Sequence, residues 1–178
     1  MRNICISFPK QTKGLKLISD NIILTGFMGS GKSTIGRILA KKLNTYFLDT
    51  DILIESFENQ SITEIFKTKG EEAFRKMEKR CFEWIKSHVR NTIISVGGGF
   101  PVFIPEIKEA GKVIYLKVEF EDILKRMNNE ELKKRPLFQD IDKVKELFYK
   151  RDKIYSQLAD IIIINNNISD TIKELLWK

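Results

Sequence analysis

The chain has 178 residues, 42% of them hydrophobic, enough for one domain that buries roughly 70% of the surface its unfolded form would expose. Its net charge of +7 arises from 31 basic residues interleaved with 24 acidic ones, which reads as a solvated surface and suits a binder of small anions as well as it suits nucleic acid. No apolar run approaches the ~18 residues of a membrane span, and two distant cysteines, Cys5 and Cys81, with one histidine, His88, leave little basis for a disulfide framework, a His-based metal site or a Ser/His triad.

Residues 1–20 carry Arg2, Lys10, Lys13 and Lys16 with little periodicity, and read as a tail or an added edge element rather than a signal peptide. The apolar run Ile22-Ile23-Leu24 predicts a strand that enters Gly26-Phe27-Met28-Gly29-Ser30-Gly31-Lys32-Ser33-Thr34, a match to G-x-x-x-x-G-K-[ST]. Such a loop turns several backbone N–H groups inward around a polyphosphate, and the positive end of the helix expected over Thr34 to Leu43 points at the same place. Lys32 would bridge the outer phosphates, and the Ser33 hydroxyl would be a direct ligand of Mg²⁺. A strand at Tyr46-Phe47-Leu48 ends in Asp49-Thr50-Asp51. Ser61-Ile62-Thr63-Glu64 has the form of a capping box and opens a short helix ending near Gly70. A longer helix, Glu71 to about Val89, spaces Phe74, Met77, Cys81, Trp84 and Ile85 for burial on one face, with His88 at its surface end.

Thr92 to Val96 predicts a strand running straight into Gly97-Gly98-Gly99, followed by a helix from about Pro105 to Ala110 and a strand over Val113 to Val118. Phe120 to Met127 is helical, whereas Asn128 to Asp140 has six charges, a proline and no apolar periodicity, and reads as a mobile surface flap. A helix from Ile141 to Ala159, a strand from Asp160 to Ile164, a turn at Asn165-Asn166-Asn167 and a final helix capped by Ser169 complete the chain. Strands and helices alternate about five times, and near-continuous apolar strands predict an α/β fold with a parallel sheet covered on both faces. Ligands of such sheets sit at the carboxyl ends of the strands, which brings together the phosphate loop, the Asp49/Asp51 turn and the triple glycine.

The phosphate loop alone fits an ATPase, a GTPase, a kinase or a transport motor. There is no N-K-x-D and no D-x-x-G after it, so the guanine-reading and switch elements of GTPases are missing. Two aspartates two residues apart let one hold the Mg²⁺ shell while the other meets an acceptor hydroxyl in line with the γ-phosphate. A turn with a helix N-cap is the plainer reading of the same pair.

Gly26 to Arg37, Leu48-Asp49-Thr50-Asp51 with Ile54-Glu55 behind it, Phe74-Arg75 with Glu78, Gly97-Gly98-Gly99, Arg135-Pro136-Leu137, and Arg151 four before Tyr155 together closely resemble shikimate kinase, in order, from about Asn21 to the C-terminus. The resemblance implies a three-layer P-loop fold with a five-stranded parallel sheet in the order 2-3-1-4-5, a single kinase domain over residues 21–178, a substrate-binding segment at about 51–80 and a lid at about 128–140. It implies transfer of the γ-phosphate of ATP to the 3-hydroxyl of shikimate with Mg²⁺, in the route to chorismate and the aromatic amino acids, by a cytoplasmic monomer that binds neither nucleic acid nor membrane.

Carried over by position, the resemblance makes Asp51, Lys32 and Arg135 catalytic, with Asp51 on the reacting diol as candidate base and Arg135 reaching the transferring phosphate from the flap. ATP would be held by Gly29, Ser30, Gly31, Lys32, Ser33, Thr34, Arg126 and Arg135, with Arg126 over the adenine. Shikimate would be held by Asp51, Arg75, Gly97, Gly98, Gly99 and Arg151, the two arginines clamping its carboxylate and Glu78 steadying Arg75. Asp49 would stand in the outer shell of a Mg²⁺ bound at Ser33. The Asn165 to Asn167 turn carries no basic residue for the adenine side, and the first 20 residues have no counterpart in the family. Rival readings are another small-metabolite kinase such as a gluconate kinase, adenylate kinase, whose loop usually differs at Met28 and Ser33, and a nucleotide-binding module without catalysis.

Overall fold

The structure, a computed structural model, describes residues 20–127, 138 and 140–177; the segment 1–19, most of the expected flap and with it Arg135 lie outside the described residues. In chain order the elements are β1 (Asn21–Thr25), α1 (Lys32–Lys42), β2 (Tyr46–Asp49), α2 (Thr50–Glu58), α3 (Ile62–His88), β3 (Thr92–Ser95), α4 (Phe100–Phe103) and a 3₁₀ segment Pro105–Ala110. They continue with β4 (Gly111–Lys117), α5 (Phe120–Arg126), α6 (Ile141–Leu158), β5 (Ile161–Ile164) and α7 (Ile168–Trp177). The five strands form one sheet in the order β2-β3-β1-β4-β5, and every pairing is parallel.

The pleat explains why the strands read as unbroken apolar runs. Successive side chains point to opposite faces, and both faces of the inner strands are covered. Ile22, Leu24, Ile93, Ile114 and Leu116 pack with Ile35 and Leu39 of α1 and with Ile172 and Leu175 of α7. Their neighbours Ile23, Ile94 and Val113 pack with Phe74, Phe82 and Ile85 of α3 on the other side. A third cluster joins Phe27 and Tyr115 to Phe120, Phe148 and Tyr155, fastening α5 and α6 beside the phosphate loop. Gly36 is the residue that lets α1 approach the sheet: a Cβ there would lie 2.4 Å from the Phe47 ring.

Several boundaries move from the sequence reading. The expected break between two helices is present: Gly70, at φ 79° and ψ 175°, is non-helical and divides the span Ile62–His88 into two helices joined at a kink, the first opened by the Ser61/Glu64 capping box. Trp84, expected inside, is 44% exposed, and Phe82 takes the buried position, because the inward stripe of α3 runs through Phe74, Glu78, Cys81, Phe82 and Ile85. The last helix starts before Ser169: the Asn167 side chain accepts from Asp170 N at 2.9 Å and caps it instead. The strand Ile161–Ile164 is the sheet edge, so Ile162 and Ile164 are exposed while Ile163 is buried against α7. A short helix, α4, precedes the 3₁₀ segment where the sequence suggested only loop. Among the described residues no helix is long and apolar enough to cross a membrane.

Candidate active site

The loops after β1, β2 and β3 meet at the carboxyl end of the sheet because those strands are adjacent in it. In the first loop Gly29 and Gly31 have φ 79° and 87°, left-handed values that a side chain rarely tolerates. They wrap the backbone so that α1 begins at Lys32, with Gly31 as its N-cap. The Lys32 side chain arches back over the loop and donates to Gly26 O at 2.7 Å and Phe27 O at 3.0 Å. Its ammonium therefore sits over the concavity, which is where a polyphosphate needs a counter-charge. Ser33 and Thr34 are exposed in the first turn of α1, and Ser30 is buried beneath the loop.

Asp49 serves both readings of its pair. One carboxylate oxygen accepts from Asp51 N at 3.1 Å, capping α2, and the other accepts from the Ser33 hydroxyl at 2.9 Å. A hydroxyl and a carboxylate oxygen held together are hard donors of the kind Mg²⁺ takes while keeping waters and phosphate oxygens as its other ligands. Among the described residues no cluster of three or more His, Cys, Asp or Glu side chains could form a metal cage of protein ligands alone.

Asp51 stands one turn into the mouth. Its Oδ1 is buried and has no hydrogen-bond partner among the described residues, an arrangement that costs free energy unless something else supplies a proton or a donor. Burial, with the Asp49 carboxylate as the next cause, pushes the Asp51 carboxyl up to about 6, against the pull of the Lys32 ammonium. Thr50, between the two aspartates, accepts from Gly97 N at 3.2 Å and so joins this turn to the triple glycine.

The triple glycine is the point at which the other side chains converge. A Cβ on Gly97 would lie 2.7 Å from Asp51 Oδ1, one on Gly98 3.4 Å from Arg151 Nη1, and one on Gly99 2.7 Å from Arg75 Nη1. At Gly97 and Gly99 a side chain is excluded because Asp51 and Arg75 occupy that space, whereas at Gly98 Arg151 stands at ordinary contact distance. Arg75 Nη1 donates to Glu78 at 2.6 Å, and Glu78 is 1% exposed. Burial raises the Glu78 carboxyl and the Arg75 guanidinium opposes that rise. Arg75 also meets the exposed Glu71 at 2.8 Å, and its guanidinium lies 4.0 Å from the centre of the Phe103 ring.

Arg151 lies on α6 against Phe27. One turn on, the Tyr155 hydroxyl donates to Gly98 O at 2.5 Å and fixes the glycine turn. On the far side of the phosphate loop, Arg126 at the end of α5 donates to Asn165 O at 2.5 Å and Asn166 O at 3.1 Å.

Of the residues proposed from the sequence, Asp51, Arg75 and Arg151 approach the triple glycine and Ser33 meets Asp49, whereas Arg126 is held to the Asn165 turn on the far side of the phosphate loop and Arg135 lies outside the described residues. Four participants were missed. Asn165, Phe103 and the hydroxyl of Tyr155 act through contacts between distant segments that no local spacing announces, whereas Glu71 pairs with Arg75 at the i,i+4 spacing of one helix.

A family model described as "Shikimate kinase" matches residues 28–176. The shikimate kinase of Helicobacter hepaticus is 44% identical over 144 residues, 81% of this chain and 86% of the relative. That of Clostridium botulinum is 42% identical over 158 residues, covering 86% and 92%. Among solved structures, shikimate kinase from Acinetobacter baumannii in complex with shikimate superposes with a TM-score of 0.79 at 34% identity, covering 88% of this chain and 90% of that one. The Aquifex aeolicus shikimate kinase gives 0.76 at 37% identity, covering 88% and 94%.

Proposed function

This chain belongs to the shikimate kinase family, the ATP-dependent kinases that transfer the γ-phosphate of ATP to the 3-hydroxyl of shikimate, and from that premise we propose how its own residues divide the work. The backbone from Gly29 to Thr34 and the Lys32 ammonium hold the β- and γ-phosphates of ATP, and Arg126 covers the adenine beside the Asn165 turn. Ser33 would be a direct ligand of Mg²⁺ with Asp49 in its outer shell, and the ion would neutralise charge on the phosphate oxygens. Arg75 and Arg151 grip the shikimate carboxylate from two sides of Gly98, whose N–H also faces the substrate. The 3-hydroxyl then points at Asp51.

Asp51 accepts the hydroxyl proton as the shikimate oxygen bonds to the γ-phosphorus and the bridging oxygen leaves with ADP. A carboxyl whose affinity for protons is raised toward neutrality by burial is suited to that transfer. Arg135 is assigned to the transferring phosphoryl group, whose charge its guanidinium would stabilise. The domain acts as a cytoplasmic monomer on ATP and shikimate, without nucleic acid or membrane.

The observation that supports this division most is the convergence of Asp51, Arg75 and Arg151 on three consecutive glycines. It is tested by ADP release from Mg·ATP with shikimate, gluconate or AMP as acceptor. Stimulation by shikimate alone is expected; stimulation by gluconate or AMP would overturn the assigned clamp. Arg75→Lys is expected to raise the shikimate KM at least tenfold, because a point charge replaces a planar fork and leaves Glu78 poorly matched, and to leave the ATP KM within about twofold. Equal rises in both would make Arg75 a structural residue.

A further inference from the structure

The sequence places Phe103 four residues past the triple glycine, in a helix too short to need it. Within α4, Phe100 points inward and is 1% exposed, whereas Phe103 is 49% exposed and belongs to none of the three core clusters. A half-exposed phenyl ring on a four-residue helix contributes little to folding, so its contacts decide what it does. The Arg75 guanidinium stands over its face at 4.0 Å, nearer than any other cation lies to a ring among the described residues.

We propose that Phe103 is a positioning residue for the reaction: its ring fixes the plane of the Arg75 guanidinium so that the fork meets the substrate carboxylate edge-on. The inference rests on the assignment of Arg75 to that carboxylate. Glu78 holds one corner of the fork, Nη1, at 2.6 Å. A single corner leaves the plane free to swing about it. The opposite edge, Nε and Nη2, contacts Glu71 at 3.2 and 2.8 Å. Glu71 is 60% exposed and four residues earlier on the same helix, so that pair is a weak one that a substrate carboxylate displaces. Once it is displaced, the Phe103 ring, the nearer of the two rings beside Arg75, is what keeps the plane in place. Gly99 leaves room for the fork, since a Cβ there would meet Arg75 Nη1 at 2.7 Å. The guanidinium therefore has room at Gly99 and lies 4.0 Å from the Phe103 ring centre, nearer than the 5.3 Å to the Phe74 ring, and an aromatic face attracts a flat cation through its quadrupole.

The test is steady-state kinetics on Phe103→Ala, Phe103→Leu and Phe103→Tyr, with Arg75→Lys beside them and a thermal melt of each. Ala and Leu are expected to raise the shikimate KM roughly three- to tenfold, the scale of a partly exposed cation–π contact, while kcat and the ATP KM stay within about twofold. Tyr, which keeps the π face, is expected to retain the parent KM. The proposal is overturned if Leu behaves like the parent, since apolar cover would then suffice, or if the ATP KM rises as much as the shikimate KM, the mark of a general structural defect. It is also overturned if Ala leaves the shikimate KM unmoved. If Arg75→Lys raises the shikimate KM and Phe103→Ala does not, the clamp stands and only the stacking role falls. If Arg75→Lys leaves that KM unmoved, the clamp fails and this proposal falls with it.

Discussion

Asp51→Asn is expected to lower kcat by more than ~10²-fold with the shikimate KM changed only a few-fold, and to make the ligand-free protein more heat-stable above pH 6. The two effects have one origin. Asp51 presents a buried oxygen without a partner among the described residues, in a mouth it shares with Asp49. The amide has the size of the carboxylate and can still accept a hydrogen bond, so substrate geometry is kept, but it takes no proton. The stability effect follows from linkage. The Asp51 carboxyl moves from 3.8 up to about 6 on folding, so between these values the folded chain holds a proton that the unfolded chain releases. Stability from this group is fully present below about pH 4 and is lost as pH rises through 6. Above that, the folded chain carries a buried charge that asparagine removes. Melting temperatures at pH 4 and pH 8 separate the cases: a gain at pH 8 that vanishes at pH 4 is expected. Near-normal turnover in the variant would remove Asp51 from the chemistry, and an equal gain at both pH values would mean that its charge is not what costs stability.

The alternation of parallel strands and helices and the meeting of three loops at the strand ends were legible before any coordinates, whereas the strand order came only from the family resemblance. The signals were local and each had a physical cause: glycines where backbone must approach phosphate, a Ser-x-x-Glu box that satisfies helix donors, and strands apolar at every position because both faces are covered. Asp49 shows how two readings merge, since the oxygen pair that caps α2 also reaches Ser33. What was not legible depends on contacts across the chain. Trp84 has the same helical spacing as its buried neighbours, and the packing of α3 against the sheet and against Phe100 of α4 decides that Phe82 goes inside. Phe103 looks like any loop aromatic until α4 sets it against a guanidinium 28 positions earlier in sequence. The turn Asn165-Asn166-Asn167 looked like a gap in the adenine side, because the sequence signal sought there was a charge.

Asn165 is 1% exposed, and its uncharged amide links three segments. Its Nδ2 donates to Ser30 O inside the phosphate loop at 2.7 Å, its Oδ1 accepts from the Thr171 hydroxyl in α7 at 2.9 Å, and its backbone N donates to Lys117 O at the end of β4. A basic side chain has no acceptor to offer Thr171, and a carboxylate has no donor to offer Ser30; only an amide satisfies both. Asn165→Ala leaves a buried carbonyl and a buried hydroxyl without partners and is expected to cost about 2–4 kcal/mol, a fall in melting temperature of roughly 5–15 °C for a chain of this size. Because Ser30 belongs to the loop that holds the phosphates, the ATP KM should rise several-fold in the fraction that folds, with the shikimate KM little changed. Asn165→Asp sharpens the test: it keeps the Thr171 contact but turns an acceptor toward Ser30 O and adds negative charge beside the phosphates. It is expected to lose at least as much stability as alanine near neutral pH, because an unpaired carboxylate is buried against a carbonyl, and to lose more ATP affinity. If both variants shift only the melting temperature, Asn165 holds the fold without shaping the phosphate loop; if neither does, the amide bridge contributes to neither.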